Sequence, residues 1–215
     1  MKKIMFNDKY GLTQAVLNGS KTQTRRIMKG KPLFPSDEIE STGVLGYEVQ
    51  IIANGGESLI TMKQPFRVGE VVAVAQSYND CGYKCFHYRD TDEFMYIVKD
   101  NKEISICPAG VRNKMFVAPS LKPHQIHITN VRVERLQDIS DEDCLKEGIT
   151  DMGAGGSLRY SFTENVKQTT GDTIAFSNNF AAAKEAFAHL IDKVSKKDVW
   201  SENPYVFVYD FELVK

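Results

Sequence analysis

Cysteine is scarce: Cys81, Cys85, Cys107 and Cys144 are the only four in 215 residues. They are too scattered, and come after too polar an N-terminus, to read as a disulfide framework, so reduced thiols are expected. Cys81-Gly-Tyr-Lys-Cys85 with His87 and Cys107 has the close ligand spacing of zinc sites, but a second close pair is missing and no metal is expected. Long apolar runs are absent as well. No stretch approaches the roughly 20 residues that span a bilayer, and Met1-Lys2-Lys3-Ile4-Met5-Phe6-Asn7-Asp8 turns polar too early for a signal peptide. A cytoplasmic protein with no membrane partner is the expectation. Nor is there an excess of one charge. Lysine and arginine total 27 against 28 acidic residues, which disfavours coating of long nucleic acid or of anionic membrane and suits a small or local ligand. With 42% hydrophobic residues the chain can bury a sizeable core, and one domain over 1–215 is the default.

The pattern is mixed α+β. Asp8 is placed to cap a helix through Leu12, Ala15, Val16 and Leu17, with Gly19 as its left-handed stop. Lys21-Thr22-Gln23-Thr24-Arg25-Arg26-Ile27 is β-permissive yet polar on both faces, so burial alone does not explain it. Hairpins follow: Tyr47 to Ala53 with Ser58 to Lys63 across Asn54-Gly55-Gly56-Glu57, and Glu93 to Lys99 with Glu103 to Cys107. Val68 to Ala75 reads as a turn feeding a largely buried strand. Gln125 to Leu136 is a long strand whose apolar phase changes near Asn130, as at a bulge. Ser140 to Ile149 carries complete helix punctuation, with Ser140 as cap, Asp143 at the capping-box position and Gly148 as stop. Residues 150–179, with Gly153-Ala154-Gly155-Gly156, lack a period and read as a mobile loop. Phe180, Ala183, Phe187, Leu190, Ile191 and Val194 mark an amphipathic helix, and alternating aromatics from Tyr205 to Phe211 mark a strand with one strongly buried face.

The chemistry concentrates near the N-terminus. Between Asp8 and Asp37 lie Lys9, Lys21, Arg25, Arg26, Lys29 and Lys31 with no acidic residue, a local positive field in a neutral chain. Partial burial of Lys21 beside arginines would lower its pKa toward general-base range, and a neighbouring threonine could then serve as nucleophile; a solvated basic turn is the plain alternative. Glu147, in the last turn of its helix, faces the negative end of the macrodipole, which raises a carboxyl pKa and suits general acid–base work. His124, His127 and Trp200 could touch a ligand, but structural roles explain them equally, and His189 reads as a helix-surface residue.

Ile4-Met5-Phe6, then Val16-Leu17-Asn18-Gly19-Ser20-Lys21-Thr22-Gln23-Thr24-Arg25-Arg26, Val131 to Ser140, Glu147-Gly148-Ile149 and Trp200 to Tyr209 together resemble the ASCH (activating-signal-cointegrator homology) family in its phage and prophage-type members. The resemblance leaves out about 28–65, 80–115 and 150–179, which are expected as hairpin and loop insertions. It implies a PUA-like β-barrel with flanking helices, lined by a Gly-x-Lys-x-x-Thr/Glu-x-Arg motif that falls here on Gly19, Lys21, Thr24 and Arg26. A small bacterial member of the family hydrolyses N4-acetylcytidine with a lysine, a threonine and a glutamate. By position these are Lys21, Thr24 and Glu147, with Gly19, Arg25 and Arg26 as substrate-binding residues and no cofactor. Lys21 would deprotonate Thr24, Thr24 would attack the acetyl carbonyl, and Glu147 would manage protons at the leaving amine. In a regular strand Lys21 and Thr24 would point to opposite faces, which a turn at 19–21 would relieve. Where phage-type relatives carry Trp-Val-Arg-Glu-Thr-Trp, this chain has Ala73-Val74-Ala75-Gln76-Ser77-Tyr78. The partner implied is a nucleoside or short RNA, bound either for amidohydrolysis or, as the alternative, by a non-catalytic RNA-binding module gripping through Arg25 and Arg26.

Overall fold

The computed structural model describes residues 1–28, 39–45, 48–53, 58–88, 91–153, 159–167 and 172–214. In chain order the elements are β1 (Lys3–Ile4), α1 (Leu12–Leu17), β2 (Gln23–Ile27), β3 (Ile39–Leu45), β4 (Glu48–Ala53), β5 (Ser58–Lys63), β6 (Val71–Val74), β7 (Cys85–Tyr88), β8 (Thr91–Lys99) and β9 (Lys102–Ile106). They continue with β10 (Gln125–Arg135), α2 (Asp141–Lys146), β11 (Thr150–Asp151), β12 (Tyr160–Lys167), β13 (Thr173–Phe180), α3 (Ala183–Ser195), α4 (Val199–Glu202) and β14 (Tyr205–Val214). The fold is α+β with strands predominating, and among the described residues every sheet is open rather than closed on itself. No helix there is long and apolar enough to cross a membrane.

Contacts divide the chain into two compact units. The first comprises Met1–Phe6, Val71–Ile126 and Val214–Lys215. In it β1 pairs parallel with β6, Lys3 opposite Ala73 and Ile4 opposite Val74. The antiparallel sheet β7-β8-β9 turns through Asp100 and Asn101, both at positive φ (51° and 59°), as a two-residue hairpin of the primed type requires. Its inner face packs Met95, Ile97 and Ile106 on Tyr78 and Val117. Ala73, Val74 and Ala75 are fully buried, so the segment that departs from the phage-type pattern is core. His124 belongs to this unit and its Nδ1 lies 2.7 Å from Gln76 Oε1.

The second unit, Asn7–Glu70 with His127–Leu213, contains the ordered run β10-β14-β2 and the sheets β3-β4-β5 and β11-β12-β13. β14 lies between β10 and β2 and is buried from Tyr205 through Tyr209 on both faces, not one. Phe66 stacks edge-on against Tyr209 on one face, at 5.5 Å between centroids. The burial phase along β10 shifts from Ile128 to Val131 as the sequence pattern requires.

Several local expectations are corrected. α1 begins after Gly11 with no side-chain cap; Asp8 instead accepts a hydrogen bond from the Thr13 hydroxyl at 2.5 Å. The described residues of 150–179 are not a structureless loop. They form β11-β12-β13, with Tyr160, Phe162 and Val166 alternating along β12, while Thr173–Ser177 of β13 is exposed on both faces. Phe180 ends β13 rather than opening α3, and it stacks on His189 at 4.8 Å. The turn at 54–57, the glycines 155 and 156, Lys29 and Lys31 lie outside the described residues.

The cysteines are free thiols, and no cluster of three His, Cys, Asp or Glu side chains arranged for a metal occurs among the described residues. Burial pushes the Cys144 thiol up to about 12, whereas Cys107 is exposed. In native protein 5,5′-dithiobis(2-nitrobenzoate) is therefore expected to label Cys107 at once and Cys144 only after denaturant is added, with peptide mapping as the check.

Candidate functional site

The site grows from two helix endings in the second unit. α1 stops at Asn18, and Gly19, at φ +80°, turns the chain so that Lys21 N–H returns to Ala15 O at 2.9 Å. α2 starts on Ser140, whose hydroxyl accepts from Asp143 N, and ends in a Schellman pattern: Gly148 N–H to Leu145 O and Ile149 N–H to Cys144 O. Glu147 is the cap residue just past the helix, one position beyond the last turn. The endings are joined by Thr22 N–H donating to Lys146 O at 3.0 Å.

Across this junction Lys21 Nζ donates to Glu147 Oε2 and to Glu147 O, both at 2.6 Å. The side chains are 2% and 6% exposed, so this is a buried ion pair between residues 126 apart. Burial, with added repulsion from Arg26 and Arg25, lowers the Lys21 pKa against the opposing pull of Glu147. Gly148, at φ +106°, lets the two approach: a Cβ there would sit 3.2 Å from Leu12 Cδ2 and 3.7 Å from Lys21 Cδ. Gly148→Ala is expected to cost about 1–3 kcal/mol, from the positive φ and the crowding, as a lower urea midpoint.

Lys21 precedes β2, so strand alternation does not govern it. Within β2, Gln23 and Arg25 share one face while Thr24 and Arg26 share the other, opposite Tyr209 and Phe207 of β14. Thr24 is buried at 5% exposure. Among the described residues no hydrogen bond joins Thr24 to Lys21 or Glu147. The structure thus unites Lys21 with Glu147 and places Thr24 three residues along the same segment. Burial lowers the Arg26 pKa, opposed by Glu147 and Tyr209.

Arg25 is not at the surface. Its side chain is 1% exposed, and its guanidinium donates to Gln23 Oε1 (2.5 Å), Glu147 Oε1 (3.1 Å), Glu134 Oε1 (2.5 Å from Nη2) and Asp143 Oδ2 (3.2 Å). Asp143 is therefore an ion-pair node rather than a capping-box partner. Arg132 closes the arrangement with Glu134 (3.1 Å), Asp143 (2.5 Å) and Asp210 (2.7 Å), and Gln23 Nε2 reaches Asp210 at 2.6 Å. No family model matches the chain, and neither curated sequences nor solved structures yield a match.

Three of the described cations of the acid-free stretch are paired with carboxylates. Lys9 pairs with Glu164 at 2.9 Å, Lys21 with Glu147, and Arg25 with three carboxylates, all from distant segments. Glu134, Asp143, Arg132, Gln23 and Asp210 were not foreseen. The available signal was the alternation Asn130, Arg132, Glu134, a polar face along a strand whose other face is apolar. Gly19 is exposed and acts through the backbone. His127 Nδ1 lies 3.0 Å from Glu212 Oε1 at the surface, and Trp200 packs edge-on against Phe187 at 6.2 Å.

Proposed function

We propose that the chain is an ASCH-type, PUA-like protein that binds a nucleoside or RNA base and hydrolyses an acyl group from an N4-acetylcytidine-like amide. The observation that carries this reading is the buried Lys21–Glu147 pair, formed at the positions the motif resemblance assigns to the lysine and the glutamate. Burial favours the neutral amine of Lys21, and in a pair at 2.6 Å its proton can pass to Glu147. The amine then accepts the Thr24 hydroxyl proton as Thr24 Oγ1 attacks the acyl carbon. The Glu147 acid protonates the departing exocyclic nitrogen, so the C–N bond breaks as an amine leaves. Water, deprotonated by the same pair, cleaves the threonine ester to acetate. Substrate binding has to bring Thr24 within reach of Lys21, since catalytic hydrogen bonds commonly tighten only in the complex. Arg26, on the Thr24 face, is positioned to oppose the oxyanion charge.

Incubation with N4-acetylcytidine, read by chromatography, is expected to release cytidine from the wild type. Lys21→Ala, Thr24→Ala and Glu147→Ala should each reduce the rate by at least about a hundredfold. No release by the wild type rejects the amidohydrolase. The second reading, a non-catalytic RNA-binding module, is favoured by the occupation of Lys21 Nζ by Glu147 with Thr24 unjoined. Calorimetric binding of the nucleoside or a short RNA without turnover would select it.

A further inference from the structure

Arg25 occupies an unusual position for a residue expected to contact substrate: it is enclosed, and each of its three nitrogens is engaged. Its guanidinium lies 5.8 Å from the Phe187 ring, which limits movement from one side. Glu147 uses both carboxylate oxygens, Oε2 toward Lys21 and Oε1 toward Arg25. Arg25 is in turn gripped by Glu134 from β10, Asp143 from α2 and Gln23 from its own strand. Glu134 and Asp143 are shared with Arg132, which is 33% exposed at the outer end of the cluster. A closed ring of alternating charge, Arg25, Glu134, Arg132, Asp143, therefore stands behind the buried pair.

We propose that Arg25 is a positioning residue rather than a substrate contact: clamped by Glu134, Asp143 and Gln23, it holds the Glu147 carboxylate in the orientation that faces Lys21. A bidentate or forked guanidinium fixes a carboxylate where a lysine, as a point charge, would not. The clamp also bears on the proton affinity of Lys21: Glu147 raises it, Arg26 and Arg25 lower it, and Arg25 itself is held by Glu134 and Asp143. Arg25 repels the Lys21 ammonium, and Glu134 offsets that repulsion. Removing the one or the other must therefore move Lys21 in opposite directions. Simple loosening of the fold would move both variants the same way.

This inference rests on the proposed role of Lys21 and Glu147, but its test does not require turnover. In protein labelled with ¹³C-lysine, the Lys21 ε-carbon signal, assigned by its loss in Lys21→Met, is followed against pH by NMR. Arg25→Gln is expected to raise the Lys21 midpoint by about one pH unit, and Glu134→Gln to lower it. Arg25→Lys keeps the repelling charge without the fork, so with Glu147 less well fixed the midpoint should fall below that of the wild type. Should Arg25→Gln fail to fold, Arg132→Gln relaxes the same ring from its outer end and should raise the midpoint by less. An unchanged midpoint in Arg25→Gln or Arg132→Gln, or shifts of the same sign in Arg25→Gln and Glu134→Gln, overturns the proposal. If N4-acetylcytidine is turned over, Arg25→Gln should lower kcat with KM little changed; a raised KM at unchanged kcat would instead mark Arg25 as a substrate contact. Absence of turnover alongside the opposite-signed shifts would reject the amidohydrolase and leave the clamp standing.

Discussion

Glu147→Leu is expected to destabilise the second unit by about 3–5 kcal/mol, the cost of stranding a buried charge. Lys21 is 2% exposed, and without Glu147 its Nζ loses the carboxylate at 2.6 Å while Arg26 and Arg25 still repel its charged form. Lys21→Met should cost less, because Glu147 retains Arg25 at 3.1 Å. The double variant Lys21→Met/Glu147→Leu removes both charges in roughly matched volume and should recover most of the loss, since buried pairs are often replaceable by apolar side chains. Urea unfolding followed by the fluorescence of Trp200, the only tryptophan, reports on this unit. A double variant as unstable as Glu147→Leu would show that the pair does more for the fold than neutralise itself.

Phe187→Ala should cost a similar amount, about 3–5 kcal/mol. The ring is 2% exposed on α3, packs edge-on against Trp200 and lies under the Arg25 guanidinium. Its deletion opens a void beneath the one side of Arg25 that no carboxylate holds. Phe187→Leu keeps most of the volume and should cost less than about 1.5 kcal/mol. Urea midpoints decide this, and the Trp200 emission of folded Phe187→Ala should shift because its ring partner is gone. If Phe187→Ala and Phe187→Leu unfold alike, packing under Arg25 is not what the ring contributes.

Elements whose signals are local were legible in the sequence. Ser140 and Gly148 bracket α2 as read, Gly19 ends the turn after α1, and the Asp100-Asn101 hairpin falls between two apolar runs. The aromatic strand β14 was recognisable, but its second buried face was not, because that depends on what distant segments pack over the sheet. β12 and β13 escaped although Tyr160, Phe162 and Val166, and Ile174 and Phe176, alternate, because the glycine, threonine and asparagine around them read as a loop. The candidate site divides along the same line. Lys21, Thr24 and Glu147 stood out by motif position. The carboxylates that answer Arg25 come from Glu134 and Asp143, 109 and 118 residues away, and no local pattern encodes such a pairing. That is why Lys21 and Arg25, which read as part of a bare basic turn, are enclosed and paired with carboxylates in the fold.

The central claim is chemical: that Thr24, activated by the Lys21–Glu147 pair, carries the acyl group between substrate and water. Rapid acid quench of the wild type with N4-acetylcytidine, followed by peptide mass spectrometry, tests it directly. The account predicts one added acetyl mass on the peptide containing Thr24, absent from Thr24→Ala and trapped more strongly when hydrolysis is slowed at low pH. Cytidine release by Thr24→Ala at the wild-type rate, or release by the wild type with no acetyl ever found on Thr24, would contradict it.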